Sequence, residues 1–181
     1  MTLGALFVSC TRILKTSEMS PPLFRSPLKD LAPKTFAFRE FTDIRQVEDP
    51  VRMTKASVLE DPPATLVAQW VRQEFERNGH RCLSDSPTVK ADFIVEGSVY
   101  KFSLRHDMGL VSVTETAETA VKLTISRIRP DTGMLAKSYQ GQYVVSGTVN
   151  WDLWKTAIHQ ALMAMIQEMS TDPELMAFLA E

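Results

Sequence analysis

Three runs of alternating apolar and polar residues between positions 91 and 145 limit the possible folds more than any other feature of the chain. The first, Ala91 to Leu104, reads ADFIVEGSVYKFSL. A period of two puts Phe93, Val95, Gly97 and Val99 on one face and Ile94, Glu96, Ser98, Tyr100 and Phe102 on the other, which is the pattern of a strand. Gly97 in mid-strand signals a bulge or a close approach by a helix. The second run, Ala120 to Ile128, sets Val121, Leu123 and Ile125 against Lys122, Thr124 and Ser126. Pro130-Asp131-Thr132-Gly133 then makes a tight turn, and Met134 to Val145 returns as the hairpin partner. Leu110 to Glu118 is read as an extension of the strand before it.

Helical spacing brackets these strands. Thr35 to Phe41 (TFAFREF) is a short strand rich in aromatics, and residues 46–60 have no clean period and read as a loop. Asp61 is placed to cap a helix with Pro62 at its first position. Leu66, Val67, Trp70, Val71 and Phe75 form its apolar stripe, and Asn78-Gly79 ends it. Asn150 is expected to cap a second, long helix running to about Ser170. Its apolar face is Trp151, Trp154, Ile158, Leu162, Met165, Ile166 and Met169. Asp172-Pro173-Glu174 starts a last short helix. The order β-α-β-β-β-α-α predicts an α+β two-layer sandwich: a mainly antiparallel sheet with two long helices on one face.

Composition narrows the function. The 181 residues carry a net charge of −2 with Lys and Arg scattered along the chain, which argues against a nucleic-acid surface. No apolar run approaches the roughly 18 residues of a membrane-spanning helix. No catalytic residue, cofactor site or metal site is assigned. The spacing of His80, His106 and His159 matches no metal set, and His80 beside Cys82 is a weak pair on its own. Cys82 reads as a small buried hydrophobe and His159 as a helix-flank residue. Glu115 and Glu118, in VTETAETA, read as a solvated strand face. Met165 and Met169 belong to the core, which leaves Met163 as the methionine more available for contact. A hydrolase would need a convergent nucleophile and base, and none can be assembled.

The N-terminus carries the one chemical assignment. Phe7-Val8-Ser9-Cys10 resembles the lipobox of bacterial lipoproteins: a bulky apolar residue, a tolerant position, a small residue, then the Cys whose thiol takes a diacylglycerol. Cys10 is therefore the expected lipidation site. The alternative is a frayed apolar N-terminus with an incidental Cys. Residues 1–9 are short for a signal peptide and lack a positive n-region, which reads as a remnant or truncated leader. Thr11 after the Cys points to the outer membrane in the enterobacterial sorting pattern. Residues 10–33, with Pro21, Pro22, Pro27 and Pro33, are expected to be an extended tether, or else a loop docked through Leu23, Phe24, Leu28 and Leu31. Residues 34–181 form the folded domain.

Several segments of that domain together resemble the YajG-type bacterial lipoproteins. They are Asp43-Ile44-Arg45, Asn78-Gly79-His80, the strand from Ala91 to Val99, Tyr139-Gln140-Gly141 and Asp172-Pro173-Glu174-Leu175. The strand segment is also similar to the LptE lipoprotein and to CsgG-type and TolB N-terminal periplasmic domains. The resemblance implies an adaptor or accessory protein of envelope assembly or transport, lipid-anchored to the membrane at Cys10 on the periplasmic face of the outer membrane. It implies an envelope protein partner and no catalytic residue. The other reading of the chain is a soluble module that binds a lipid or small molecule between helices and sheet.

Overall fold

The computed structural model describes residues 12–15, 19, 26–55, 57–84, 91–128, 133–148 and 152–181. In chain order its strands are β1 (Arg12–Leu14), β2 (Thr35–Phe38), β3 (Thr42–Asp43), β4 (Ser57–Leu59), β5 (Arg81–Ser84), β6 (Phe93–Met108), β7 (Val113–Arg127) and β8 (Gly133–Gly147). The helices are α1 (Pro63–Arg77), α2 (Leu153–Ser170) and α3 (Pro173–Ala180), with a 3₁₀ turn at Pro27–Asp30. The alternating runs become the antiparallel ribbon β6-β7-β8, paired along nearly its whole length. β2 and β5 extend the sheet in parallel in the order β5-β2-β6-β7-β8, and β3 pairs with β6 beyond β2. The fold is the expected α+β sandwich.

The two sheet faces differ as a period of two requires. Val95, Val99, Val121, Leu123, Ile125 and Tyr139 turn inward and are buried under the helices, while β8 shows Ala136, Ser138, Gln140 and Gln142 to solvent. α1 lies over β6, β3 and β5, α2 lies over β8 and β7, and the two helices touch each other. Trp70, Trp154, Phe75, Leu162 and Ile166 fill the space between the layers. Each fully buried side chain of this kind contributes about 2–3 kcal/mol.

Some elements depart from the sequence reading. Leu110 to Glu118 does not extend the preceding strand. Gly109 donates to the Ser112 carbonyl at 2.8 Å, the chain reverses, and Val113 onward belongs to β7. α1 is capped at Pro62 rather than Asp61. Pro63 forces the residue before it into extended backbone, and Pro62 sits at φ −56°, ψ 142°. α2 has Asp152 at its cap position, and Asn150 lies outside the described residues. The loop at 46–60 contains β4. Gly97 meets no helix. The chain between β2 and β3 holds one residue more than the stretch of β6 it spans, and that excess throws the Phe41 ring onto Gly97, where a Cβ would overlap it. The β6 irregularity falls instead at Tyr100, between Val99 and Lys101.

The described part of the 10–33 segment is packed on the domain, as in the docked alternative. β1 pairs in parallel with β4, and Leu14, Met19 and Leu28 are buried in the core. Ser26 caps the 3₁₀ turn by accepting from the Leu28 N–H at 3.2 Å. Leu28 is fully buried, which sets about 2–3 kcal/mol against detaching the turn. Leu23 and Phe24 lie outside the described residues.

Candidate functional site

Cys10 lies outside the described residues, as do Phe7, Val8 and Ser9. The described strand nearest to it, β1, is held firmly. The Glu60 N–H donates to the Leu14 carbonyl at 2.9 Å, extending the β1–β4 pairing. Leu14 and Met19 wall an open groove of about 460 Å³ together with Asp152, Lys155, Thr156 and His159 from the first turns of α2. Leu153 packs against Gly147, which pairs with Val113, which pairs with Met108. The start of the described chain therefore lies on the side of the domain where α2 begins, toward the β6–β7 turn.

The motifs singled out in the sequence prove to be structural pins. Arg45 grips Asp43 with both Nε and Nη2 (2.9 and 2.7 Å) and donates to the carbonyls of Phe102 (2.6 Å) and Pro50 (2.8 Å). Burial works against the charged form of Asp43, but its bonds to Arg45 outweigh this and hold the carboxyl below its usual range. Gly79 takes φ +90° to end α1. The next residue, His80, is buried; its Nδ1 accepts from the Lys34 N–H at 3.2 Å and its Nε2–H donates to the Leu28 carbonyl at 3.1 Å. Those bonds fasten residues 28–34 and require neutral imidazole. Burial, with the Lys34 charge adding to it, lowers the His80 pKa.

Tyr139-Gln140-Gly141 and Asp172-Pro173-Glu174 form one joint between β8, α2 and α3. The Asp172 side chain accepts from the Glu174 N–H at 3.1 Å to cap α3, from Lys137 Nζ at 2.8 Å and from the Tyr139 hydroxyl at 2.7 Å. Burial opposes ionisation of Asp172, but the bonds from Lys137 and Tyr139 prevail and lower its pKa. Burial, followed by the bond to that carboxylate, pushes the Tyr139 phenol up. The Gln140 N–H donates to Glu168 of α2. At Gly141 a Cβ would overlap the Ala161 carbonyl oxygen, so only glycine lets the α2 backbone settle on β8.

The remaining candidates also have structural partners. The Cys82 thiol is half-buried, contacts the Arg72 carbonyl at 3.7 Å, and is pushed up to about 12 mainly by burial. It is a free cysteine and an inert one. Among the described residues no three His, Cys, Asp or Glu side chains gather as metal ligands. His159 packs edge-on to Trp70 at 5.3 Å. Met165 and Met169 are in the core, and Met163 is half-buried against it. Glu118 is partly exposed and pairs with Lys101 at 2.9 Å. Glu115 corrects the solvated-face reading. It shares the inward face with Val113 and Ala117, is buried, and meets His106 Nδ1 at 2.6 Å. The residue period already put it there.

Two open clefts flank the β2–β3 junction. The larger, about 890 Å³, is lined by Arg39, Thr42, Asp43, Glu96, Ser98 and Lys122, and across it Arg39 bonds Glu96 at 2.6 Å. The other, about 320 Å³, lies between Phe38, Phe41 and the first turns of α1. The larger is a solvated, charge-compensated surface, and neither brings a nucleophile to a base.

The family model described as "Uncharacterized lipoprotein" (Lipoprotein_16) matches residues 42–180. The chain belongs to this family, the YajG-type bacterial lipoproteins. The match spans Asp43-Ile44-Arg45 through the α3 cap, so the pins at Arg45, His80 and Asp172 lie within it. No curated protein matches the chain. Among solved structures, protein XCC0632 from Xanthomonas campestris is similar at 12% identity and a TM-score of 0.56, covering 87% of this chain and 92% of that one. This likeness supports the fold alone. A minor lipoprotein from Acinetobacter baumannii aligns at 9% identity with a TM-score of 0.40, covering 77% of this chain and 90% of that one. Within the YajG-type chain the described helices include none long and apolar enough to cross a membrane.

Proposed function

We propose that this YajG-type lipoprotein is a non-catalytic envelope protein. Diacylglycerol on Cys10 anchors it to the periplasmic face of the outer membrane, and it works as an adaptor or accessory by binding a protein partner. One observation carries the reading: a lipobox-like Phe7-Val8-Ser9-Cys10 precedes a domain of a lipoprotein family. The fate of the polar side chains supports it. Asp43, His80, Glu115 and Asp172 are each engaged by structural partners, so the chain's distinctive residues build shape. The acyl chains of a modified Cys would give stable anchoring where a single chain would not.

The test is fractionation and intact-mass measurement of the full-length chain expressed in a bacterial host, beside Cys10→Ser. The expected result is membrane association with a diacylglycerol mass increment on Cys10, both lost in the variant. Equal solubility of the two chains, with no added mass, would overturn the anchor. Crosslinking in native membranes then tests the adaptor role. A recovered envelope protein supports it. A domain that brings down only a bound lipid or small molecule moves the function to ligand carriage.

A further inference from the structure

The β6–β7 turn is made of residues unsuited to a turn. Gly109 and Ser112 close it, leaving Leu110 and Val111 at the two central positions. Tight hairpin turns favour Asn, Asp and Gly there, because the matching turn types need positive φ. Leu110 and Val111 keep negative φ, so this turn is not of that kind, and neither side chain offers the backbone hydrogen bonds by which Asn, Asp and Ser stabilise other turns. The side chains gain nothing by burial. Met108, Leu110 and Val111 are 72%, 105% and 81% exposed, the most exposed large apolar side chains of the described residues. The polar side chains next to the tip have partners: Arg105 pairs with Asp107 at 2.9 Å, and His106 meets Glu115. An apolar point on a stem whose polar groups are partnered is suited to an apolar environment.

Chain geometry says which one. Only Thr11 stands between Cys10 and Arg12, the first residue of β1, so the two Cα atoms are at most about 7 Å apart. A lipid on Cys10 would therefore leave no free tether and would hold the β1 end of the domain against the headgroups. The β6–β7 turn lies on that side of the domain: Leu14 faces the start of α2 across their shared groove, Leu153 packs on Gly147, and the Gly147–Val113–Met108 ladder leads to the turn. We propose that the β6–β7 tip, Met108, Leu110 and Val111, inserts into the lipid bilayer as a second contact and fixes how the anchored domain faces the periplasm. This rests on the Cys10 anchor of the preceding reading. The anchor supplies attachment and the tip supplies orientation. The opposite end, at the β7–β8 connection near Met134, then points away from the membrane.

The test places an environment-sensitive fluorophore on Leu110→Cys or, as the opposite-end control, Met134→Cys. Both are made in a Cys82→Ala background of the full-length lipidated chain. The protein is reconstituted in protein-free vesicles of phosphatidylethanolamine and phosphatidylglycerol, with lipid on Cys10 verified by mass. The expected result is blue-shifted emission at position 110, quenched by spin-labelled acyl chains, with neither change at position 134. Water-like emission at 110 in a chain that does carry lipid would overturn the insertion and leave the anchor standing. A shift at 110 that appears only in native membranes would also overturn it, assigning the tip to a protein. Absence of lipid on Cys10 would remove the anchor itself and this proposal with it.

Discussion

The two ends of the same sheet are built on opposite terms. Where β6 begins, Phe36 packs on Phe75 and Phe93 at 4.3 and 5.3 Å, and Phe93 meets Phe178 of α3 at 5.9 Å. Polar groups there are tied down: His80 to Lys34 and Leu28, and Arg127 to the Phe178 carbonyl at 2.8 Å. Where β6 turns into β7, apolar side chains stand in water and the Arg105–Asp107 pair lies at the surface. The strands are continuous from one end to the other, so the difference lies in what packs on them. One end is closed by the C-terminal ends of α1 and α2, by α3 and by an N-terminal strap, residues 26–34. At the other, the first turn of α2 reaches Gly147 and the turn beyond it is exposed. Changes at the closed end should act on stability, and changes at the open end should spare it.

The largest effect is expected at the joint on which both ends depend. Gly141→Ala drives a methyl into the backbone of α2 at Ala161 and Met165. No rotamer relieves an overlap with backbone, so the whole helix must lift from β8. The expected loss is about 3 kcal/mol or more, at or beyond the top of the usual range for overpacking. Chemical denaturation should read it as a lower midpoint with an unchanged slope. A variant as stable as the parent would mean that α2 is not seated on β8 at Gly141.

Asp172→Ala comes next and is confined to the closed end. It removes the α3 cap, about 1 kcal/mol, and leaves the buried Tyr139 hydroxyl without its acceptor, about 1–2 kcal/mol more. A thermal melt should show the combined loss of roughly 2–3 kcal/mol. The acid limb offers a sharper measurement. The Asp172 pKa is lower in the fold than in the unfolded chain, so its contribution is complete above the unfolded value, near pH 4, and is lost as pH falls through the folded value. Asp172→Asn should flatten that part of the stability profile. An unaltered acid limb would show that the carboxylate is not what Lys137 and Tyr139 hold.

How much of the fold is legible in the sequence depends on which residues decide each element. β6, β8 and both long helices stand nearly where the sequence puts them, whereas β7 begins at Val113, seven residues before the alternation read from Ala120. β1, β3, β4 and β5 are two to four residues long and have no period to show. They are strands only because a neighbour's edge is available. Residues 26–31 resemble linker because of Pro27 and the prolines on either side of the segment, yet Leu28 has a specific hole to fill beside His80. The pins are visible as motifs without their meaning. Asp172 is 33 residues from Tyr139, and only the packing of α2 and α3 brings it to Tyr139 and Gly141 on β8. Glu115 is the readable miss: its even spacing from Val113 and Ala117 outweighs its charge.

His80 tests the closed end in a milder way. His80→Ala leaves the Lys34 N–H and the Leu28 carbonyl without their partner, an expected loss of about 1–2 kcal/mol. The parent carries a pH signature that the variant should lack. Because the His80 pKa is lowered in the fold, its share of the stability is present above the unfolded value, about 6.5, and falls away as pH drops below it. Denaturation midpoints measured at pH 7.5 and at successively lower pH should therefore converge for parent and variant. Parallel curves would mean that His80 accepts a proton without releasing the strap.

The smallest effect belongs to the open end, and its smallness is the point. Leu110→Ser with Val111→Asn replaces two exposed apolar side chains by residues that suit a turn, and neither original side chain packs on the core. The expected stability change is within about 0.5 kcal/mol and of either sign, since Asn is the better turn residue. Circular dichroism melts of the two chains should overlay. A loss as large as that of His80→Ala would mean the tip contributes to the fold, and the division between a closed end and a contact end would fail. An overlay leaves Leu110 and Val111 without a folding reason to be apolar, and places their use in what the tip touches.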